Sequence, residues 1–154
     1  MADVRWLDPD EQRTWRAFVG ASRMLFDQLD RELQRDAGMT HADYEVLVRL
    51  SEAPGRSLRM GELAELTGSS RSRLSHAVAR LEADGWVRRD RCPTDGRGAL
   101  AVLSPTGLAV LRSAAPVHVR GVRRHLFDQL GDHQQRALRA ISDTVLGHLE
   151  DDRP

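Results

Sequence analysis

Apolar residues recur at spacings of three and four along most of this chain. Two short runs of strand-like sequence interrupt the pattern, and then helical spacing returns. Between Asp10 and Ala37, Trp15, Phe18, Val19, Ser22, Leu25, Phe26, Leu29 and Leu33 form one stripe, which predicts a long first helix. Gly38 suits its C-terminal stop. Thr40 is placed to cap a second helix, with Asp43 favourable in its first turn. That helix is expected to bury Tyr44, Leu47, Val48 and Leu50 and to end near Ala53, before a Pro54-Gly55-Arg56 turn. A short third helix follows from about Gly61 to Leu66, with Leu63, Ala64 and Leu66 inward. Its start is weakly capped, because Met60 and Gly61 stand where Ser or Thr would serve better. Ser69 or Ser70 caps a fourth helix that runs to Asp84 and closes at Gly85, with Leu74, Ala77, Val78 and Leu81 as core positions.

The period then changes. Trp86-Val87-Arg88-Arg89 and Ala99-Leu100-Ala101-Val102-Leu103 read as the strands of a hairpin, and the loop between them holds the turn formers Pro93, Asp95 and Gly96. Ser104-Pro105 is a Ser cap with Pro at the first helical position. The fifth helix carries Leu108, Leu111, Val119, Val122 and Leu126, and Pro116 within it predicts a kink or a break. A last helix starts at Asp132, with Gln135 placed for a capping-box-like contact, and Leu138, Ile141, Val145 and Leu149 give its stripe. The order is four helices, a β-hairpin and two helices. It predicts a mainly α fold: a winged helix-turn-helix flanked by long dimerisation helices. The division is residues 1–38 for an N-terminal dimerisation helix, 39–104 for a DNA-binding domain and 105–154 for C-terminal dimerisation helices.

At 154 residues the chain suits one compact domain, or a small domain with an assembly module. No apolar run approaches the roughly 20 residues of a membrane span, and the polar start does not resemble a secretory signal. With one cysteine, Cys92, an intramolecular disulfide is impossible; a cytoplasmic location is the expectation. Formal net charge is zero, which by itself argues against a nucleic-acid partner. The distribution reverses that argument. Residues 1–55 hold 7 Arg against 11 acids, residues 56–97 hold 9 against 6, and residues 98–154 hold 7 against 6. The positive excess falls on the predicted DNA-reading segment, and local charge is what makes a binding face.

On the fourth helix, Ser69, Ser70, Arg71, Ser72, Arg73, Ser75, His76 and Arg80 lie off the apolar face, and no acid appears before Glu82. An ordinary solvated helix mixes both signs. Ser and Arg are short and long donors, Arg bridges guanine O6 and N7, and a helix N-terminus favours phosphate, so this face suits a major groove. In the hairpin, Arg88, Arg89, Arg91 and Arg97 crowd the turn. An Arg at a wing tip suits the narrow, electronegative minor groove, and Asp95 is two residues from Arg97, close enough to hold its guanidinium.

These residues carry a resemblance. The chain resembles the MarR family of bacterial transcriptional regulators through G-E-L-A-E-L-T-G (Gly61 to Gly68), R-L-E-A-D-G-W-V-R-R (Arg80 to Arg89), P-T-D-G-R (Pro93 to Arg97) and A-V-L-S-P-T-G (Ala101 to Gly107). The resemblance implies a homodimer built by the first, fifth and sixth helices. It implies that the fourth helix enters the major groove and that Arg97 enters the minor groove with Asp95 supporting it. It also implies a pocket between the first, second and fifth helices for phenolic or other aromatic anions. Pro116 departs from the pattern and puts the straightness of the fifth helix in question.

Trp15, Arg16, Met24, His41 and Tyr44 are the candidate lining of that pocket, against the plainer reading that such aromatics are core. Cys92 among Arg88, Arg89 and Arg91 raises the alternative of a redox-sensing regulator. The six histidines, His118, His125, His133 and His148 included, do not form a metal-ligand set. No nucleophile with a base, carboxylate pair or phosphate loop points to an enzyme, and no cofactor is implied. Two classes of function follow. One is a dimeric regulator, more often a repressor, that binds a pseudo-palindromic double-stranded DNA operator and responds to a small aromatic ligand. The other is a winged helix used as a protein-interaction module without DNA, which would expose apolar anchors on the fourth helix.

Overall fold

A computed structural model describes residues 4–91 and 98–152, so Cys92, Asp95 and Arg97 lie outside the described residues. The described chain forms six α-helices, α1 (Pro9–Ala37), α2 (His41–Glu52), α3 (Met60–Leu66), α4 (Arg71–Ala83), α5 (Pro105–His125) and α6 (Asp132–Asp151). Three strands accompany them: β1 (Ser57–Arg59), β2 (Val87–Arg91) and β3 (Ala99–Leu103). The chain divides into two compact units, residues 1–118 and 119–154, with the boundary inside α5.

The first unit holds the core. Leu33 of α1, Leu47 and Leu50 of α2, Leu63 of α3, and Leu74, Val78 and Leu81 of α4 are buried together with Val87 and Ala101 of the sheet. The four core positions expected on α4 are the four that are buried. One expectation of the core fails. Leu66 of α3 is exposed: Leu63 and Ala64 form the helix's buried face and Leu66 lies off it. On α1 only Leu29, Glu32 and Leu33 are buried, so the stripe from Trp15 to Phe26 faces outward in the single chain.

The caps follow local chemistry. Asp8 begins α1 by accepting from the backbone N–H groups of Asp10 and Glu11, while Glu11 accepts from the N–H of Asp8. This reciprocal box places the start one residue earlier than Asp10. Thr40 caps α2 through the Asp43 N–H, and Ser70 caps α4 through the Arg73 N–H. The start of α3 has no side-chain cap, as its sequence predicts.

β1 is a strand that apolar periodicity does not announce. Its residues pair antiparallel with β3, Ser57 opposite Val102 and Arg59 opposite Leu100, giving the sheet order β1-β3-β2. Pairing of β2 with β3 runs from Val87 opposite Leu103 to Arg91 opposite Ala99, so β2 extends past Arg89. Gly85 takes φ 74°, a left-handed conformation that lets the chain leave α4 and enter β2 at once. Ser104 locks the far end of the hairpin. Its hydroxyl donates to the Gly85 carbonyl at 2.7 Å and accepts from the Gly107 N–H at 2.9 Å, and its own N–H donates to the Trp86 carbonyl.

α5 runs continuously through Pro116, so the break expected there does not occur. In the second unit, a 3-10 turn over Phe127–Gln129 leads to α6. Gln134, and not Gln135, supplies the contact at the start of α6 by accepting from the Gly131 N–H. Gln135 instead donates to the Phe127 and Leu130 carbonyls and ties the preceding turn down. Among the described residues no helix is long and apolar enough to cross a membrane.

Candidate nucleic-acid interface

The face of α4 opposite its core is built by spacing alone. Leu74, Ala77, Val78 and Leu81 turn inward, which leaves Arg71, Ser72, Arg73, Ser75, His76 and Arg80 exposed. Ser70 serves as the cap and is also exposed. Ser69 is different: half-buried, it donates its N–H to the Ala64 carbonyl and belongs to the turn between α3 and α4. The first turn of α4 contains no acid, so the unpaired N–H groups and the positive end of the helix add to Arg71 and Arg73.

Three arginines of the expected DNA set have intramolecular partners. Arg80 donates Nη2 to Asp43 Oδ1 at 2.8 Å. The Asp43 side chain is nearly buried, at 10% exposure, whereas that of Arg80 remains 56% exposed. This pair joins α4 to the first turn of α2. Arg89 of β2 donates Nη2 to the Ser75 carbonyl at 2.9 Å, and Glu82 accepts from its backbone N–H at 3.2 Å. Arg89 therefore joins the wing to α4. The alternation of β2 explains it: Val87 and Arg89 share the face that looks onto α4, opposite Leu103 and Ala101. Arg88 points from the other face and pairs with Asp90.

A cleft of about 630 Å³ opens beside this surface, with Arg59, Glu62, Glu65, Arg71, Ser75 and Arg89 among its lining. Arg59 escaped sequence reasoning because it belongs to β1, which only its pairing with β3 reveals. Asp95 and Arg97, expected at the wing tip, lie outside the described residues.

The candidate ligand residues separate into two groups. His41 and Tyr44 are brought together with two residues not predicted for the pocket, Phe26 and His118. The ring centroids of Tyr44 and His118 are 4.6 Å apart, those of His41 and His118 5.5 Å, and those of Phe26 and His41 5.5 Å. Burial, reinforced by Glu52, raises the Tyr44 phenol above its ordinary pKa. Burial, reinforced by His41, lowers that of the His118 imidazole. Trp15, Arg16 and Met24 are exposed on α1; Trp15 is 57% and Met24 71% exposed. Trp15 pairs with Phe18, and Arg16 contacts Gln12 within its own helix. The signal for His118 was present: it follows the buried Leu111 and Ala114 by seven and four residues, on one face of α5.

Helices α3 and α4 with the β2–β3 hairpin after them define a winged helix-turn-helix. A sequence profile described as MarR family matches residues 37–98. Among solved structures, Sco3205, a MarR family transcriptional regulator from Streptomyces coelicolor crystallised in complex with DNA, is 52% identical; the match covers 97% of this chain and 93% of that one, with a TM-score of 0.90. AbsC, a MarR family transcriptional regulator from the same organism, is 42% identical over 97% of this chain and 100% of its own, with a TM-score of 0.88. The transcriptional regulator HosA of Escherichia coli O111:H- is 30% identical over 119 residues, 70% of this chain and 87% of that protein. The chain belongs to the MarR family of transcriptional regulators.

Proposed function

We propose that this protein is a homodimeric regulator, a repressor, whose α4 helices read the two halves of a pseudo-palindromic double-stranded DNA operator. The observation that carries the proposal is the outer face of α4. In a chain of zero net charge, every charged side chain from Ser70 to Leu81 is Arg, and the exposed positions include four Ser or Arg residues in succession, Ser70 to Arg73. That face offers hydrogen-bond donors to base edges and phosphates and no apolar anchor for a protein partner. The DNA complex of Sco3205 supports the reading by likeness.

Within it, Ser70, Arg71, Ser72, Arg73, Ser75 and His76 face the major groove. Ser69 shapes the turn that leads into α4. Arg80 and Arg89 orient α4 through Asp43 and the Ser75 carbonyl, and Arg88 borders the backbone. By resemblance to the family, Arg97 is assigned to the minor groove with Asp95 as its supporting residue. A small aromatic ligand acts through the rings of His41 and Tyr44, with Trp15, Arg16 and Met24 completing its lining in the dimer. The test is a gel shift with the protein's own upstream DNA at 50 and 200 mM salt. Binding should weaken by at least tenfold at the higher salt. Arg97→Ala should weaken it while the dimer persists. Absence of binding, or binding indifferent to salt, overturns the proposal in favour of an interaction module.

A further inference from the structure

Aromatic rings of α2 and α5 meet beside the core. His118 sits half-buried on α5, its ring against Tyr44 and His41 of α2. Its Nδ1 atom is buried without a hydrogen-bond partner among the described residues. A neutral imidazole tolerates this in the tautomer that carries its proton on Nε2, since Nδ1 then holds only a lone pair. Protonation places an N–H at Nδ1, buried and without an acceptor, and adds a charge 5.5 Å from a second titratable ring.

The other titratable groups nearby do not offset that charge. From α2, Tyr44 is neutral and Glu52 acts on Tyr44. Arg49, also on α2, is a cation beside Glu45. From α1, Phe26 contributes an uncharged ring to His41, and Asp30 accepts the His41 backbone N–H at 2.7 Å. His118 is the last residue of the first unit, where α5 passes into the second. The same first turn of α2 that presents His41 and Tyr44 also presents Asp43, which holds Arg80 of α4.

We propose that the His41–His118 pair is an acid-sensitive switch: protonation drives α5 from the N-terminal turn of α2, and Asp43 transmits the change to the orientation of α4. Burial and His41 both hold His118 below its ordinary value of 6.5. The sign follows from linkage. The unfolded or displaced chain takes up the His118 proton first as pH falls through 6.5, so the closed arrangement is fully favoured above that value and is lost below it. DNA affinity should fall on acidification.

The inference rests on the DNA-binding reading, and its test separates the two. Affinity for the operator is measured at pH 7.5 and 5.5 with wild type and with His118→Phe, which keeps a ring against Tyr44. Wild type should lose about fivefold at pH 5.5 and His118→Phe less than twofold. A histidine-resolved NMR titration of the DNA-free protein gives an independent readout: His118 should titrate lowest of the six, and His41→Gln should raise it. Failure to bind at either pH refutes the DNA reading. Binding equally tight at both, or a His118 that titrates normally and ignores His41→Gln, overturns the switch alone.

Discussion

Asp43 and Arg80 form a pair whose two members are unequally exposed, and that inequality predicts how each fails. Removing Arg80 leaves a nearly buried carboxylate with only the α2 N-terminus and its dipole for support. Removing Asp43 leaves a guanidinium that water can reach. Arg80→Met should therefore cost about 2 kcal/mol of stability and Asp43→Ala about 1 kcal/mol, read from urea unfolding. DNA affinity gives a second comparison. Equal losses from Arg80→Met and Asp43→Asn identify Arg80 as a positioning residue, whereas a loss confined to Arg80→Met identifies it as a DNA contact. Sequence showed Arg80 only as a cation off the apolar face of α4. Its partner lies 37 residues away, and no periodicity connects such a pair. The exposed faces were legible because helical spacing determines them, while the direction of each guanidinium depends on tertiary neighbours.

At the scale of elements, start and stop signals carried most of the information. Thr40, Ser70 and Ser104 act where their types and positions predict. The Asp8-Pro9 start with Glu11 was equally legible in principle, and the box it forms explains why α1 begins at Pro9. β1 was not, because Ser57–Arg59 gains its strand identity from β3, more than forty residues later. Pro116 shows the reverse case, in which local propensity yields. Its cost is a lost donor and a clash, and α5 continues because tertiary packing fixes the helix before it, with Leu111 and Ala114 buried. The junction of hairpin and α5 is the least tolerant part of the recognition unit. A Cβ on Gly107 would overlap the Trp86 carbonyl oxygen and approach Leu103 Cδ1 to 2.9 Å. Backbone must move to admit it, so Gly107→Ala should cost about 3 kcal/mol and lower Tm by roughly 8 °C. A thermal melt decides this, and an unchanged Tm would mean that the hairpin slides on α5 without penalty.

At the scale of the whole molecule, each unit exposes more apolar surface than a lone chain needs. On α1, Trp15 and Phe18 are 57% and 60% exposed; on α6, Ile141, Val145 and Leu149 are 62%, 50% and 55% exposed. The stripes are those that helical spacing marks on the helices expected to dimerise. Both facts hold together if the burying surface is a second copy of the chain, the homodimer proposed above. A patch that closes on itself by two-fold symmetry also sets two α4 helices at a defined spacing, so assembly and DNA recognition are one property. Val145→Asp places a charge in the α6 stripe without disturbing the internal core, since no residue of α6 belongs to it. The variant should retain its helical content by circular dichroism and elute as a monomer where the parent elutes as a dimer. Its affinity for a full operator should drop at least a hundredfold, toward that of one half-site, because the second recognition helix no longer binds from the same complex. A Val145→Asp protein that remained dimeric with parental affinity would place the dimer contact elsewhere and leave the α6 stripe without a partner.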